Sequence, residues 1–138
     1  MSNVDTHRAA HEAFNRRDLE GAARPLRNDA VYTDHPRGLS VKGPQEFVDW
    51  MQGWVTTMSN AQVTEVRYID GGDHSVAIFR GRGVNDGPLG TLPPSGRELD
   101  MPFCEVFRYD PDGGVISGEV FYDQATLLTQ LGHMEPPR

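Results

Sequence analysis

The spacing of apolar residues changes once along the chain, close to Asn60. Before that point, apolar residues recur every three or four positions, which is typical of amphipathic helices. After it they alternate with polar residues, which is typical of half-buried strands. Helices followed by hairpin-linked strands predict an α+β domain whose three helices pack on one face of a mostly antiparallel sheet. If strongly curved, such a sheet forms a cone-shaped α+β barrel with one open mouth, and a small molecule would bind inside it.

Three helices are predicted in the first sixty residues. Ser2, with Asp5 three positions later, resembles a capping box at the start of the first helix. Asp18 can cap a second helix, and Pro25 removes a backbone donor within it, so we expect that helix to be short or kinked. Pro44 occupies a favoured first-turn position for a third helix. The apolar residues on one side of this third helix are Phe47, Trp50, Met51, Trp54 and Met58.

Strands and their turns occupy most of the remaining sequence. We expect a short strand at 30–33 and longer strands at about 61–70, 74–84, 98–109 and 115–124. Segment 85–96 contains three prolines and three glycines, which predicts a long loop between two strands. Because this loop borders the predicted cone, its conformation affects the shape of any pocket.

Length and charge limit the class of protein. A chain of 138 residues accommodates one domain, which we assign to residues 1–133, with 134–138 as a flexible tail. A net charge of −7 argues against nucleic-acid binding. The sequence has neither an apolar run near the ~18 residues of a membrane span nor a signal-peptide pattern, so we expect a cytoplasmic protein without membrane partners. Cys104 is the only cysteine, which excludes an intramolecular disulfide.

The last predicted strand carries a candidate catalytic carboxylate. Side chains alternate along a strand, so Glu119, Phe121 and Asp123 share one face, whereas Val120 and Tyr122 share the other. The first face can lie against solvent. Alternatively, Asp123 points into the cone near its mouth, where apolar surroundings would raise its pKa and make it a general acid or base.

Two further residues are candidates for the same chemistry. Glu105 lies between Phe103 and Phe107 on one face of the preceding strand, which indicates a polar group in an apolar wall. It can equally form an ion pair with an arginine such as Arg80 or Arg82 on the neighbouring strand. His35 ends the first strand, at the rim of the predicted cone, and is the histidine that we expect to take part in catalysis.

His7 and His11 have the i, i+4 spacing of a metal-binding helix. Neither the intervening glutamate of the zinc proteases nor an obvious third ligand accompanies them, so we predict no metal site. Trp50 and Trp54 on the third helix can be core residues, and large flat side chains of this kind would also suit a flat hydrophobic ligand.

Several fragments, in order, resemble one known family. They are Ala-Phe-Asn-Arg-Arg-Asp-Leu-Glu at 13–20, Asp-Ala-Val-Tyr at 29–32, Gly-Pro-Gln-Glu-Phe at 43–47, Pro-Pro-Ser-Gly-Arg at 93–97, and Tyr-Asp-Gln at 122–124 with Gln-Leu-Gly at 130–132. From about residue 5 to residue 133 the chain resembles the SnoaL-like polyketide cyclases of the nuclear transport factor 2-like superfamily.

The resemblance implies a homodimer without a cofactor that closes a ring by intramolecular aldol condensation of a small hydrophobic, polyketide-like carbonyl compound. The family's catalytic aspartate lies just upstream of the terminal Gln-Leu-Gly, a position that Asp123 matches. The expected catalytic residues are therefore Asp123, His35 and Glu105, although some polyketide cyclases have a histidine at the position of Glu105. The expected substrate-binding residues are Phe14, Tyr32, Trp50, Trp54, Phe103 and Phe121. Because the superfamily also contains pure binding domains, a non-catalytic ligand-binding or dimerisation domain is the alternative.

Overall fold

One six-stranded sheet organises the protein, which we describe from a computed structural model covering residues 1–136. The strand order is β2-β1-β6-β5-β4-β3, and all neighbours are antiparallel except β1 and β6. The elements are α1 (Asn3–Asn15), α2 (Leu19–Ala23), β1 (Leu26–Asp34), β2 (Leu39–Lys42), α3 (Gly43–Thr57), β3 (Gln62–Asp70), β4 (His74–Val84), β5 (Glu98–Tyr109), β6 (Val115–Phe121) and α4 (Gln124–Gln130).

The sheet is curved but not closed, and α1 and α3 pack against its concave face. The predicted cone-shaped α+β fold is confirmed. The parallel pairing of β1 with β6 joins a strand from the first quarter of the chain to the last strand. Since β5 lies next to β6 and α1 packs against β3 and β4, the centre of the cone is enclosed by segments distant in sequence.

The predicted helix starts agree with the structure. The Ser2 hydroxyl accepts from the Asp5 backbone N–H at 3.0 Å, and the Asp5 carboxylate accepts from the Ser2 N–H at 3.2 Å, which completes the capping box of α1. Asp18 caps α2 by accepting from the Gly21 N–H at 2.9 Å. As expected from Pro25, α2 is short.

Two elements were not predicted, β2 and α4. Sequence analysis places a strand at 115–124, but β6 ends at Phe121 and Asp123 begins a helix instead. The Asp123 carboxylate accepts from the backbone N–H groups of Ala125 and Thr126 at 3.0 and 3.3 Å. A carboxylate in this position satisfies N–H groups that have no partner within the helix, so the chain turns into α4 rather than continuing the strand.

The inward face of the sheet is set by the alternation along β5 and β6. On β5 the residues Phe103, Glu105 and Phe107 are buried, and on β6 the buried residues are Val115, Gly118 and Val120. Gly118 permits the close approach of the neighbouring strand, because a Cβ atom there would lie 2.5 Å from the ring of Tyr32.

Residues 134–136 are exposed, and the last two positions of the predicted flexible tail, 137 and 138, lie outside the described residues. Among the described residues, no helix is both long enough and apolar enough to cross a membrane.

Candidate active site

The concave face of the sheet and helices α1 and α3 enclose a cavity with about 700 Å³ of empty space, including the part open to solvent. Its wall is almost entirely apolar. The aromatic residues Phe14, Trp50, Trp54 and Phe103, all expected at a substrate site, line it. Their role in substrate binding stays a prediction, whereas their location at the cavity is a finding.

Glu105 is the buried carboxylate of this cavity, with 6% of its surface exposed. Its Oε1 lies 2.9 Å from Nε2 of His7 and 2.7 Å from Nε2 of His11. Its Oε2 accepts a hydrogen bond from the hydroxyl of Tyr32. The alternative that Glu105 pairs with Arg80 or Arg82 is wrong, because both arginines pair with exposed Asp100.

Further hydroxyl groups hold the two histidines from behind. Nδ1 of His7 lies 2.7 Å from the Ser75 hydroxyl, which in turn lies 2.6 Å from the Tyr109 hydroxyl. Nδ1 of His11 lies 2.8 Å from the Tyr68 hydroxyl. We call the set His7, His11, Tyr32, Tyr68, Ser75, Glu105 and Tyr109 the Glu105 cluster. Every buried side-chain nitrogen and oxygen of the described residues has a hydrogen-bond partner, so the cluster is fully paired.

Local structure explains why these residues meet. His7 and His11 are one turn apart on α1 and therefore project from the same face. The ring of His7 stacks on Phe107 with centroids 4.1 Å apart, which fixes the ring over β5. Glu105 projects from β5 on the same side as Phe107, directly toward α1.

Burial and hydrogen bonding shift the pKa values of Glu105 and His7 in opposite directions. Burial alone raises the pKa of Glu105, but the hydrogen bonds and charges of His11 and His7 outweigh it and lower the pKa below its usual range. Burial lowers the pKa of His7, against the opposing effect of Glu105. Burial and the nearby Glu105 charge raise the pKa of Tyr32 well above its usual value. Glu105 is therefore ionised at neutral pH, and Tyr32 keeps its proton.

A second buried carboxylate, Asp34, supports the opposite wall of the cavity. It accepts from Nε of Arg37 at 2.7 Å, from the indole N–H of Trp50 at 3.1 Å and from the Tyr122 hydroxyl at 2.9 Å. Arg37 also lies over the ring of Trp54, 5.2 Å from its centroid. Asp34 thus fixes the orientation of the tryptophan wall, a role that the sequence did not reveal.

Asp123 does not lie in the cavity. It is exposed at the start of α4, where hydrogen bonds from the Thr126 hydroxyl and backbone lower its pKa. The expectation that Asp123 points into the cone with a raised pKa is wrong. Val120 and Tyr122 face inward instead, so the face that carries Glu119, Phe121 and Asp123 is the outer one.

His35 and Phe121 are also outside the cavity. Nε2 of His35 lies 2.9 Å from the exposed carboxylate of Glu119, and its ring stacks on Phe121 at 4.5 Å. His35 follows the end of β1 as predicted, but its side chain lies on the outer face, and the expected location of Phe121 at the substrate site is wrong. Tyr32 is fully buried behind the cavity wall and contacts Glu105 rather than the empty space.

Comparison with known proteins assigns the chain to a family. The model of the SnoaL-like domain family matches residues 7–117. The chain therefore belongs to the SnoaL-like domain family. A comparison with curated proteins finds no match.

Solved structures share the fold at low sequence identity. A candidate SnoaL-like polyketide cyclase from Jannaschia is 24% identical, with a TM-score of 0.85 over 98% of this chain and 93% of that one. IdmH from Streptomyces antibioticus, described as a candidate polyketide cyclase, is 24% identical, with a TM-score of 0.81 over 96% and 99%. A hypothetical protein from Catenulispora acidiphila with a ketosteroid isomerase-like fold, solved with trimethylamine, is 19% identical, with a TM-score of 0.80 over 93% and 92%.

Replacing Glu105 by Gln tests the energetic role of the cluster. We expect the free energy of unfolding to fall by about 3 kcal/mol at pH 7, because the substitution removes the charge that the buried donors face. Since the pKa of Glu105 is lowered in the folded state, its stabilisation is present above the unfolded pKa and is lost as pH falls toward the folded pKa. The difference between wild type and E105Q should therefore narrow below about pH 4.

Urea unfolding at pH 7 and pH 3.5 measures both effects. The matched control is Glu119→Gln, which removes an exposed carboxylate that also pairs with a histidine and should cost less than about 1 kcal/mol. Equal losses for the two variants at pH 7 would contradict the account of Glu105.

Proposed function

We propose that the protein is an enzyme that moves protons on a small, flat, hydrophobic carbonyl compound bound inside the cone, with Glu105 as the acid/base group. The observation that carries this proposal is a buried carboxylate, within hydrogen-bond distance of two imidazole nitrogens and a tyrosine hydroxyl, in the wall of an otherwise apolar cavity. The proposal keeps the type of chemistry expected from the sequence, that of a cyclase or isomerase. It assigns the acid/base role to Glu105 instead of Asp123.

The aromatic wall supports a flat substrate. Trp50 and Trp54 are perpendicular neighbours with centroids 6.1 Å apart, and Trp54 also meets the ring edge of Phe103 at 5.9 Å. Such surfaces bind planar apolar groups and exclude water. A carbonyl end would then lie toward the polar pole formed by His11 and Glu105.

The lowered pKa of Glu105 limits the proton that it can remove. A weakly basic carboxylate is effective only against an acidic C–H, such as one between two carbonyl groups. Oε2 accepts from Tyr32 alone, so a second lone pair stays available for that proton. Within this proposal, the resulting carbanion attacks a second carbonyl of the same folded substrate, and the new alkoxide takes the proton back from Glu105. One C–C bond forms, without a net change in protons or electrons.

A non-catalytic ligand-binding domain is the second candidate. The observation that favours it is the complete pairing of the Glu105 cluster, since both carboxylate oxygens already have partners without any ligand, as a group that only stabilises the fold requires. The two functions differ in what Glu105 does after a ligand has bound.

Turnover and binding by matched variants distinguish these functions. Ligands from a panel of aromatic 1,3-dicarbonyl compounds are selected by thermal shift, and product formation is then followed by chromatography. For the catalytic proposal, E105Q should bind the selected compound and lose about 100-fold or more in turnover. Asp123→Asn, which changes a carboxylate outside the cavity, should retain turnover.

Three results bear on the choice. Loss of turnover in D123N with retention in E105Q would contradict the role of Glu105. Binding without turnover in wild type across the panel would favour the ligand-binding domain. Loss of binding in E105Q would contradict the proposal that the apolar wall binds the substrate and that Glu105 acts in the reaction.

We further propose that the protein forms a homodimer through the outer face of the sheet. Half-exposed apolar residues occupy this face on five strands: Val31, Ile69, Val76, Ile78, Cys104, Val106 and Phe121. Strand register places Cys104 between Ile78 and Phe121 in a single row. A contiguous apolar patch of this kind is typical of a protein interface.

The oligomeric state tests this proposal. Light scattering after gel filtration should give roughly twice the 15.3 kDa chain mass for wild type, and Phe121→Glu should lower it toward one chain. Leu39→Glu is the control, because Leu39 is equally exposed (42% for each residue) but shares the other face of the sheet with its partner Asp34. A wild-type monomer, or equal effects of the two variants, would contradict the proposal.

A further inference from the structure

The two histidines of α1 and Glu105 have the composition of a metal site. We propose that one Zn²⁺ binds to Nε2 of His7, Nε2 of His11 and Oε1 of Glu105. The sequence showed the first two ligands at the spacing of a metal-binding helix but no third. The structure supplies the third from β5, 94 and 98 positions away along the chain. This inference goes beyond the proposed function and does not rest on it.

The three ligand atoms converge on one small volume. The three ligand atoms lie within 4.8 Å of one another, and Oε1 is 2.9 and 2.7 Å from the two nitrogens. In a tetrahedral site with Zn–N and Zn–O distances near 2.0–2.2 Å, adjacent ligand atoms are about 3.4 Å apart. Two ligands of one Zn²⁺ ion can be at most about 4.2 Å apart, so binding would require the two imidazole rings to rotate toward each other and Oε1 to withdraw slightly. All three residues are buried, so the ligands would exclude bulk water from most of the ion.

Each of the three ligand residues also has a hydrogen-bond partner on the side away from the proposed ion. Nδ1 of His7 contacts the Ser75 hydroxyl, Nδ1 of His11 contacts the Tyr68 hydroxyl, and Oε2 of Glu105 accepts from Tyr32. Histidines that bind metals ordinarily use the other ring nitrogen in this way, which fixes the ring and directs Nε2 at the ion. The Glu105 cluster thus contains a hydrogen-bond partner that can orient each of the three ligand residues.

Proton positions along the cluster give an independent argument. The Tyr109 hydroxyl lies 3.0 Å from the backbone carbonyl oxygen of Asn3, which can only accept, so Tyr109 donates there. The Ser75 hydroxyl then donates to Tyr109 and accepts from Nδ1–H of His7. With its proton on Nδ1, a neutral His7 presents the Nε2 lone pair to a carboxylate oxygen.

Two facing lone pairs at 2.9 Å need a cation between them. Either a second proton on His7, which makes the ring an imidazolium ion, or a bound metal ion can supply this positive charge. We favour the metal because a single ion also engages Nε2 of His11, which lies 2.7 Å from the same oxygen. This assignment of protons follows from the hydrogen-bond network.

The ligand set selects the ion. Two imidazole nitrogens and one carboxylate oxygen match zinc sites that keep one position open, whereas Mg²⁺ and Ca²⁺ prefer oxygen ligands. Because His11 and Glu105 line the cavity, the open position would face it and take a water or an oxygen of a small molecule. The positive charge of the ion on Oε1 would make the Glu105 carboxylate less basic, so Zn²⁺ should inhibit the proposed reaction.

Metal binding can be measured without a substrate. We expect isothermal titration of the chelator-treated full chain to give one Zn²⁺ per chain and no Mg²⁺ binding, and Co²⁺ to give visible absorption bands of low-symmetry coordination. His11→Gln and Glu105→Gln should abolish the signal, and Ser75→Ala should weaken binding by about 10–100-fold. His35→Gln is the matched control, since it removes the exposed His35–Glu119 pair. It should bind Zn²⁺ like wild type.

Several results would overturn the proposed metal site. Absence of Zn²⁺ binding, or binding that H35Q loses and H11Q keeps, would overturn the metal site. If the cluster variants fail to fold, side-chain ¹⁵N spectra of wild type replace them. A Zn²⁺-dependent shift of Nε2 in both His7 and His11 supports the site, and shifts confined to other histidines overturn it. Loss of turnover in E105Q without any Zn²⁺ binding would leave the proposed function standing and remove only the metal.

Discussion

Burial of the Glu105 charge is the constraint on which the rest of the structure depends. An unpaired carboxylate inside an apolar cone would be strongly destabilising, so its position requires hydrogen-bonding or cationic partners from other elements. Helix α1 provides His7 and His11, and β1 provides Tyr32. The same contacts fix the distance between α1 and the sheet, and therefore the width of the cavity between them.

A second carboxylate performs a similar task on the other side. Asp34 holds Trp50, Tyr122 and Arg37, so the aromatic wall is oriented by hydrogen bonds as well as by packing. The cavity thus has an apolar wall supported by one buried carboxylate and a polar pole formed by another. This division gives a bound molecule one preferred orientation, which is what either selective binding or proton transfer needs.

The architecture could be predicted because it depends on short-range patterns. The capping box of Ser2 and Asp5, the helix cap at Asp18 and the alternation on β5 each involve neighbours a few residues apart. Alternation along β5 also placed Glu105 inward between Phe103 and Phe107, as the structure does.

The site could be predicted only in part, because its contacts join distant segments. Alternation on β6 leaves two possible faces, and nothing local shows that Val120 rather than Asp123 meets the core. Asp123 is also a good helix cap, a local signal that competes with the prediction of a strand at 115–124. The contacts of His7 and His11 with Glu105 form only when α1 packs on β5. The sequence signal that could have suggested them is a glutamate between two inward phenylalanines.

The ionisation state of Glu105 tests the central claim most directly. The ¹³C chemical shift of its side-chain carboxyl carbon, followed by NMR in the chelator-treated protein from neutral pH downward, reports whether the group is charged. The account predicts the shift of an ionised carboxylate at every pH at which the protein stays folded. A titration within the folded state at the ordinary glutamate pKa of about 4.3, or above it, would contradict the account.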